Sequence, residues 1–448
     1  MSTVIDSLHP QPEDAPSIPL MVEQAGMSVT LDDLADLENR IHAVIGHVRT
    51  SSHTPYGEKK APAFNASALA TLCGKSNTSM MRQLERAAEL GLSDGVATVP
   101  AGSDVPATTT RARRSFSLSE AIEWVRAVGR PFQRDLNHKG CTIAVGNFKG
   151  GVGKTVVATS LAQALSLKGY KVLCIDLDPQ GSMTSLLDVD RTGVDDEQTF
   201  LPLTKHPHDE GHRSTLQESI RETYWFGCDL VAGSSSLFAG EFLLPLRQMR
   251  ADRDEPGFRF MEVLDRALDQ GIRDEYDYII IDTPPALSYV TMNGYWAADA
   301  ILMPLPAEGL DLVSSAQFWS MFTTLAGSAA KTATKPKTFS WVATVPSKVD
   351  HTKGFTKANL KVMQAAYQNY LIGNVEIPLS SAVSVGGSTL STVYDMEKYV
   401  GSAKTYERAR QAFDRLADEV DYLTRLRKWG QTPEQIEKAL KGSARIGD

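Results

Sequence analysis

The stretch from Cys141 to Thr155 constrains this chain more than any other. Cys141-Thr-Ile-Ala-Val-Gly146 is a short β-branched run, and Asn147-Phe148-Lys149-Gly150-Gly151-Val152-Gly153-Lys154-Thr155 follows it directly. Val156, Val157, Leu161, Ala162 and Leu165 then recur at helical spacing until Gly169, so the segment reads as strand, glycine loop, helix. The three glycines let consecutive backbone N–H groups turn toward one anion at the positive end of that helix. Lys154 is placed to reach the β- and γ-phosphates of a nucleotide, and the Thr155 hydroxyl to ligate Mg²⁺. The phosphate-binding set read from the loop is Gly150, Gly151, Val152, Gly153, Lys154, Thr155 and Val156.

Carboxylates end the next strands. Val172-Leu-Cys-Ile175 runs into Asp176-Leu-Asp178-Pro-Gln-Gly181, and Tyr278-Ile-Ile-Ile281 into Asp282-Thr-Pro-Pro285. Ligands of α/β sheets sit at such C-terminal strand edges. A carboxylate closing an apolar strand is the Walker B arrangement, which holds Mg²⁺ through water. Ile301–Leu305, Trp341–Pro346 and Val375–Pro378 read as three further strands. Strands alternating with helices over residues 139–448 predict a doubly wound, mostly parallel α/β sheet. Residues 187–226, with their acids and histidines, read as a surface insertion without an assigned role.

The N-terminal part differs in kind. Residues 1–28 carry Pro10, Pro12, Pro16 and Pro19 among few large apolar residues, the composition of a flexible tail. Over 29–52, Thr30 is placed as a cap, and Leu31, Leu34, Leu37, Ile41, Val44, Ile45 and Val48 form one amphipathic stripe. Such a helix either packs on its own domain or dimerises. Residues 53–138 read as a small, mostly α winged helix-turn-helix domain. Asn65 is placed to cap a first helix, Gly74-Lys75-Ser76 turns, and Asn77 to cap a second with Met81, Leu84 and Leu90 inward. Asn77, Thr78, Ser79, Arg82, Gln83 and Arg86 are the side chains that would meet base edges and phosphates. A basic ribbon with Arg111, Arg113 and Arg114 follows as the wing, and from Arg111 to Lys139 there are seven basic residues against three acidic. A plain helical hairpin with a solvated face would share much of this pattern.

Composition bounds the rest. The chain has 448 residues and a formal charge of -8, so nucleic-acid contact must come from local basic patches. Seven lysines between Lys331 and Lys361, with Arg408, Arg410, Arg415, Arg425, Arg427 and Lys428 on the last long helix, offer such patches. Four cysteines without a CxxC pair suggest neither zinc nor a disulfide framework. The N-terminus lacks a basic segment followed by an apolar one, and nowhere do 18 apolar residues run together, so a cytoplasmic protein without a membrane span is expected.

Phe148 occupies the place of the first glycine of an ordinary phosphate loop, and the additional Lys149 precedes the paired glycines. This Lys-Gly-Gly-Val-Gly-Lys-Thr form resembles the deviant Walker A motif of the ParA/MinD group of ATPases. From about residue 140 to 430 the order of motifs is similar to ParA partition ATPases. The stretches 310–318, 388–396 and the closing helix resemble the RepA type of plasmid replication and partition operons. With the helix-turn-helix, the chain resembles the longer ParA form.

The resemblance implies that Lys149 reaches the nucleotide of a partner subunit, that Asp178 positions the attacking water, and that Asp176 lies near the Mg²⁺ shell. The catalytic set is then Asp178, Lys149 and Lys154, and the metal set Thr155, Asp282 and Asp176. It further implies an ATP-dependent homodimer on nucleoid DNA, hydrolysis stimulated by a ParB-type centromere-binding protein, and operator binding through the helix-turn-helix. A repressor switched by nucleotide is the alternative. A MinD-like membrane ATPase would need a basic amphipathic C-terminus, and an iron–sulfur relative would need shared cysteines; residues 433–442 and Cys174 with Cys228 offer neither.

Overall fold

The computed structural model describes residues 30–51, 59–98, 113–129, 134–135, 137–187, 194–380, 383, 391–395 and 402–445. The expected tail and Arg111 lie outside them. The chain divides into two units, Met1–Gly57 and Glu58–Asp448. The first contains one described helix, α1 (Leu31–Ser51). Thr30 and Asp33 cap it reciprocally, Thr30 N donating to Asp33 Oδ2 at 2.7 Å and Asp33 N to Thr30 Oγ1 at 3.2 Å. Leu31, Leu34, Leu37 and Ile41 are exposed along it.

In the second unit, β1 (Phe64–Asn65), β2 (Val96–Thr98) and β3 (Arg113–Phe116) form an antiparallel sheet in the order β1-β3-β2. Helices α2 (Ala66–Leu72), α3 (Asn77–Glu85) and α4 (Leu118–Val128) accompany it. Asn65 caps α2 as the sequence indicates, its Oδ1 accepting from Ala68 N at 2.9 Å. Ser76, not Asn77, caps α3. The inward row therefore shifts by one residue, to Ser79, Met80 and Leu84, and leaves Met81 and Leu90 exposed.

The larger sheet has the order β10-β9-β4-β8-β5-β7-β6. Its strands are β4 (Cys141–Val145), β5 (Val172–Asp176), β6 (Arg221–Glu222), β7 (Cys228–Val231), β8 (Tyr278–Asp282), β9 (Ala300–Pro306) and β10 (Trp341–Ser347). All neighbours are parallel except β6 with β7. Every residue of β4, β5, β8 and β9 is buried, as expected for strands covered on both faces. The fold is thus α/β, with the doubly wound, mostly parallel sheet that the motif order implied.

Two expectations are corrected. Val375–Pro378 is not a strand: Val349 and Pro378 form only an isolated bridge, closed by Val349 N to Ile377 O and Leu379 N to Val349 O, each at 3.0 Å, while Ile377 N turns to Pro346 O at 2.8 Å. Residues 194–226 are no mere surface insertion either. They bury Phe200, Leu201, Leu203, Leu216 and Trp225 and supply β6. Their apolar residues follow neither helical nor strand period, which hid them among the acids.

Helix α5 (Lys154–Leu167) is buried on nearly every side, the mark of a core helix. One hydrophobic cluster joins its Val157, Leu161 and Leu165 to Leu69 of α2, Phe116 of β3 and Ile122 and Trp124 of α4. Trp124 Nε1 donates to Ser93 O at 2.8 Å, and Arg126 Nε to Gly169 O at 2.9 Å. The long helix α11 (Ala403–Arg427) packs through Phe413, Leu416 and Val420 into the same cluster. Its buried Asp421 accepts from Tyr170 Oη at 2.7 Å and Tyr278 Oη at 2.8 Å. No helix among the described residues is long and apolar enough to cross a membrane.

Candidate nucleotide site

The glycine loop leaves β4 at Gly146, where a Cβ would stand 1.8 Å from Tyr295 Oη. Asn147 pins it on one side, its Nδ2 donating to Pro304 O at 2.9 Å and its Oδ1 accepting from Lys149 N at 3.1 Å. Ser347 Oγ pins the other side, donating to Val152 O at 2.9 Å. Phe148 turns away to stack edge-on against Phe318, ring centroids 4.6 Å apart. The residue that departs from the usual glycine thus anchors the loop in apolar surroundings. Gly151 and Gly153 take φ of 72° and 97°, and a Cβ at either, or at Gly150, would project into open space.

Over this loop lies a cavity of about 350 Å³, within the range of small-molecule sites. Its floor is the loop and the first turn of α5; Asp178 and Gln180 form one wall, Ser347 and Lys348 another. Ile377, Pro378 and Leu379 make an apolar shelf.

Lys154 is buried and donates from Nζ to Lys149 O at 3.3 Å. Burial draws its ammonium below the ordinary lysine range, while Asp282 and Asp178 hold it up. Asp282 is fully buried, and neither of its oxygens has a hydrogen-bond partner of good geometry. Burial pushes its carboxyl well above the usual range, with Asp176 adding to the shift and Thr155 and Lys154 opposing it. An unpartnered buried carboxylate beside a hydroxyl fits an oxygen-loving dication such as Mg²⁺.

Asp176 faces Asp282 in register across β5 and β8. Its oxygens, however, are engaged, by Asp178 N at 3.1 Å and by Thr184 N and Oγ1, each at 2.8 Å. Burial raises its carboxyl to about 6 despite these donors. Asp178 Oδ1 accepts from Gln180 N at 2.9 Å.

Lys149 makes an ion pair with Asp311, Nζ to Oδ1 2.7 Å. Asp311 is buried in the first turn of α9 (Gly309–Ala330). The residue lies inside 310–318, a stretch that attracted notice only by resemblance; nothing in its spacing marks it as the partner of Lys149.

On and just after α3, Asn77, Thr78, Arg82 and Arg86 are exposed, and Gln83 is half-buried. Ser79 is turned inward, because the helix begins one residue earlier than read. Arg86 Nε pairs with Glu89 at 2.8 Å, and Arg114 Nη2 stands 3.9 Å from Asp94. Arg113 opens β3. Several proposed basic contacts are spent inside the fold. Lys337 donates to Trp296 O and Ala298 O, each at 2.5 Å, and burial brings its ammonium down to about 8. Arg425 pairs with Asp421 at 3.0 Å and Lys428 with Asp299 at 2.6 Å, while Lys353 pairs with Glu308 at 3.2 Å on the surface.

A family model described as an AAA domain (AAA_31) matches residues 140–334. The chain is 28% identical over 388 residues to a putative replication protein A of Rhizobium rhizogenes, covering 84% of this chain and 90% of that one. It is 30% identical over 343 residues to a putative replication protein A of Sinorhizobium fredii, covering 73% and 80%. A solved structure titled "Partition Protein" superposes with a TM-score of 0.60 over 88% of this chain and 97% of that chain, at 18% identity. Fold and loop together define a P-loop protein of the deviant Walker A class. The chain belongs to the ParA/MinD-type P-loop ATPase family, together with the rhizobial replication protein A sequences.

Proposed function

We propose that the chain is a ParA-type partition ATPase with a second role as repressor of its own operon. ATP with Mg²⁺ occupies the cavity over the glycine loop, and a second copy closes over it. In that state the homodimer holds nucleoid DNA without sequence preference, and it releases DNA after hydrolysis stimulated by a ParB-type partner on the cargo. The observation that carries this reading is the buried, unpartnered Asp282 beside Thr155 and Lys154.

Gly150, Gly151 and Gly153 present backbone N–H groups to the phosphates, and Lys154 sets its ammonium between them. Thr155 and Asp282 hold Mg²⁺, which when bound neutralises charge on the transferred phosphoryl group. Asp178 orients the attacking water. Asp176 belongs to the outer shell, because Thr184 and Asp178 N already occupy its oxygens. Lys149 leaves Asp311 to meet the phosphates of the partner copy.

The winged segment reads an operator through Asn77, Thr78, Arg82, Gln83 and Arg86, with Arg111, Arg113 and Arg114 on backbone phosphates. Such a protein works in the cytoplasm, associated with the nucleoid. The second reading, a repressor switched by nucleotide, draws on the core that the winged segment shares with α5.

Sedimentation with ATP and Mg²⁺ tests the core of the proposal. Wild type should dimerise, Lys154→Ala should not respond to ATP, and Lys149→Ala should bind some nucleotide yet stay monomeric. Intact dimerisation of Lys149→Ala would rule out the shared site.

A further inference from the structure

The bonds around Asp176 converge on one residue outside the nucleotide cavity, Thr184 in the short helix α6 (Ser182–Leu187). Thr184 Oγ1 donates to Asp176 Oδ2 and accepts from Gly233 N, both at 2.8 Å. Its backbone N adds a second bond to the same carboxylate oxygen, at 2.8 Å. Asp176 Oδ1 meanwhile accepts from Asp178 N at 3.1 Å. One hydroxyl thus ties together the loop carrying Asp178, the first turn of α6 and the turn after β7.

The tie is buried throughout, Asp176 at 0% and Thr184 at 4% exposure, where a satisfied polar network is stiff and a broken one costly. Two glycines allow the segments to meet. A Cβ at Gly233 would stand 2.7 Å from Asp176 Cγ and 2.8 Å from Asp178 O, and one at Gly181 would stand 2.7 Å from Gly233 O. Gly181 also has φ of 61°. Neither Thr184 nor Asp176 lines the cavity, whereas Asp178 does.

Resting on the reading of Asp178 as the residue that orients the attacking water, we propose that Thr184 is a positioning residue for hydrolysis: its hydroxyl, through Asp176, fixes Asp178 against the phosphate loop. A valine of the same shape deletes both hydroxyl bonds, leaving Asp176 short of a donor and Gly233 N short of an acceptor. The loop bearing Asp178 is then free to shift. A displacement of about 1 Å at a reacting group costs on the order of 100-fold in rate. The phosphate loop, held by Asn147 and Ser347, does not depend on this tie.

The test compares Mg²⁺-dependent ATP hydrolysis by full-length wild type, Thr184→Val and Thr184→Ser, with thermal unfolding of each. The expected result is a kcat about 10- to 100-fold lower in the valine variant, a KM for ATP within about threefold of wild type, and recovery in the serine variant. Equal kcat in all three overturns the proposal. A parallel collapse of KM, kcat and unfolding temperature also overturns it, since that is the behaviour of a merely structural threonine. If the valine variant does not fold, Asp176→Asn weakens the same tie from its other end and must give the same separation of kcat from KM. A wild type with no ATPase activity defeats the reading of the whole site, and an active wild type with an active valine variant defeats only the role of Thr184.

Discussion

Asp282 closes an apolar strand with both carboxylate oxygens buried and unbonded, an arrangement that costs the nucleotide-free protein stability. Asp282→Asn should therefore raise the unfolding temperature without nucleotide while abolishing hydrolysis, a trade of activity for stability. Asp176 gives this tension a sign with pH. Its carboxyl sits at about 6 in the folded chain against 3.8 as the ordinary value, so the folded state binds more protons between those limits. Its contribution is present at low pH and is lost as pH rises through about 4 to 6. The gap in unfolding temperature between Asp176→Asn and wild type should move in favour of the variant across that window; a constant gap would contradict the shift. At the same scale, Asp311→Asn removes the carboxylate that holds Lys149 at 2.7 Å. The variant should dimerise at a lower ATP concentration than wild type, read by sedimentation across an ATP titration. The loop residues were legible in the sequence because glycine, lysine and threonine have fixed uses at an anion. Asp311 and Thr184 were not, since each acts through a contact between segments far apart in the chain.

Among the elements, β4 was legible as an apolar run ending in the glycine loop, and β5, β8, β9 and β10 as apolar runs ending in carboxylates or prolines. The strands β6 and β7 were not, one being only two residues long and the other following an aperiodic stretch. The helix Asn77–Glu85 starts one residue earlier than read from the sequence, because Ser76 and Asn77 are both good caps and the packing of Met80 chooses between them. That phase fixes the outward face of α3. Loss of Arg82 and Arg86 together should weaken operator binding while sparing binding to bulk DNA, and equal loss of both would contradict two separate DNA surfaces. Helix α4 packs against α2, β3 and α5. Trp124 is fully buried there, and Trp124→Ala should cost about 3–5 kcal/mol in denaturant unfolding.

At the scale of the molecule, one core runs from α2, α3, β3 and α4 through α5 to α11. The helix whose first residue is Lys154 is therefore also the helix on which α4 rests, and α4 in turn touches α2. The sequence reading divides a DNA-binding from an ATPase domain at residue 138, because the helix-turn-helix pattern there gives way to the strand and glycine loop that open at Cys141. The shared core was hidden in apolar residues that look the same whichever element they face. The most direct measurement is binding of the purified protein to random-sequence duplex DNA at fixed salt with no nucleotide, with ADP, and with ATP plus Mg²⁺. Binding that appears only with ATP and Mg²⁺, and vanishes in Lys154→Ala, is the result expected of a partition ATPase. Random duplex ignored in every nucleotide state would contradict that function and favour the nucleotide-switched repressor.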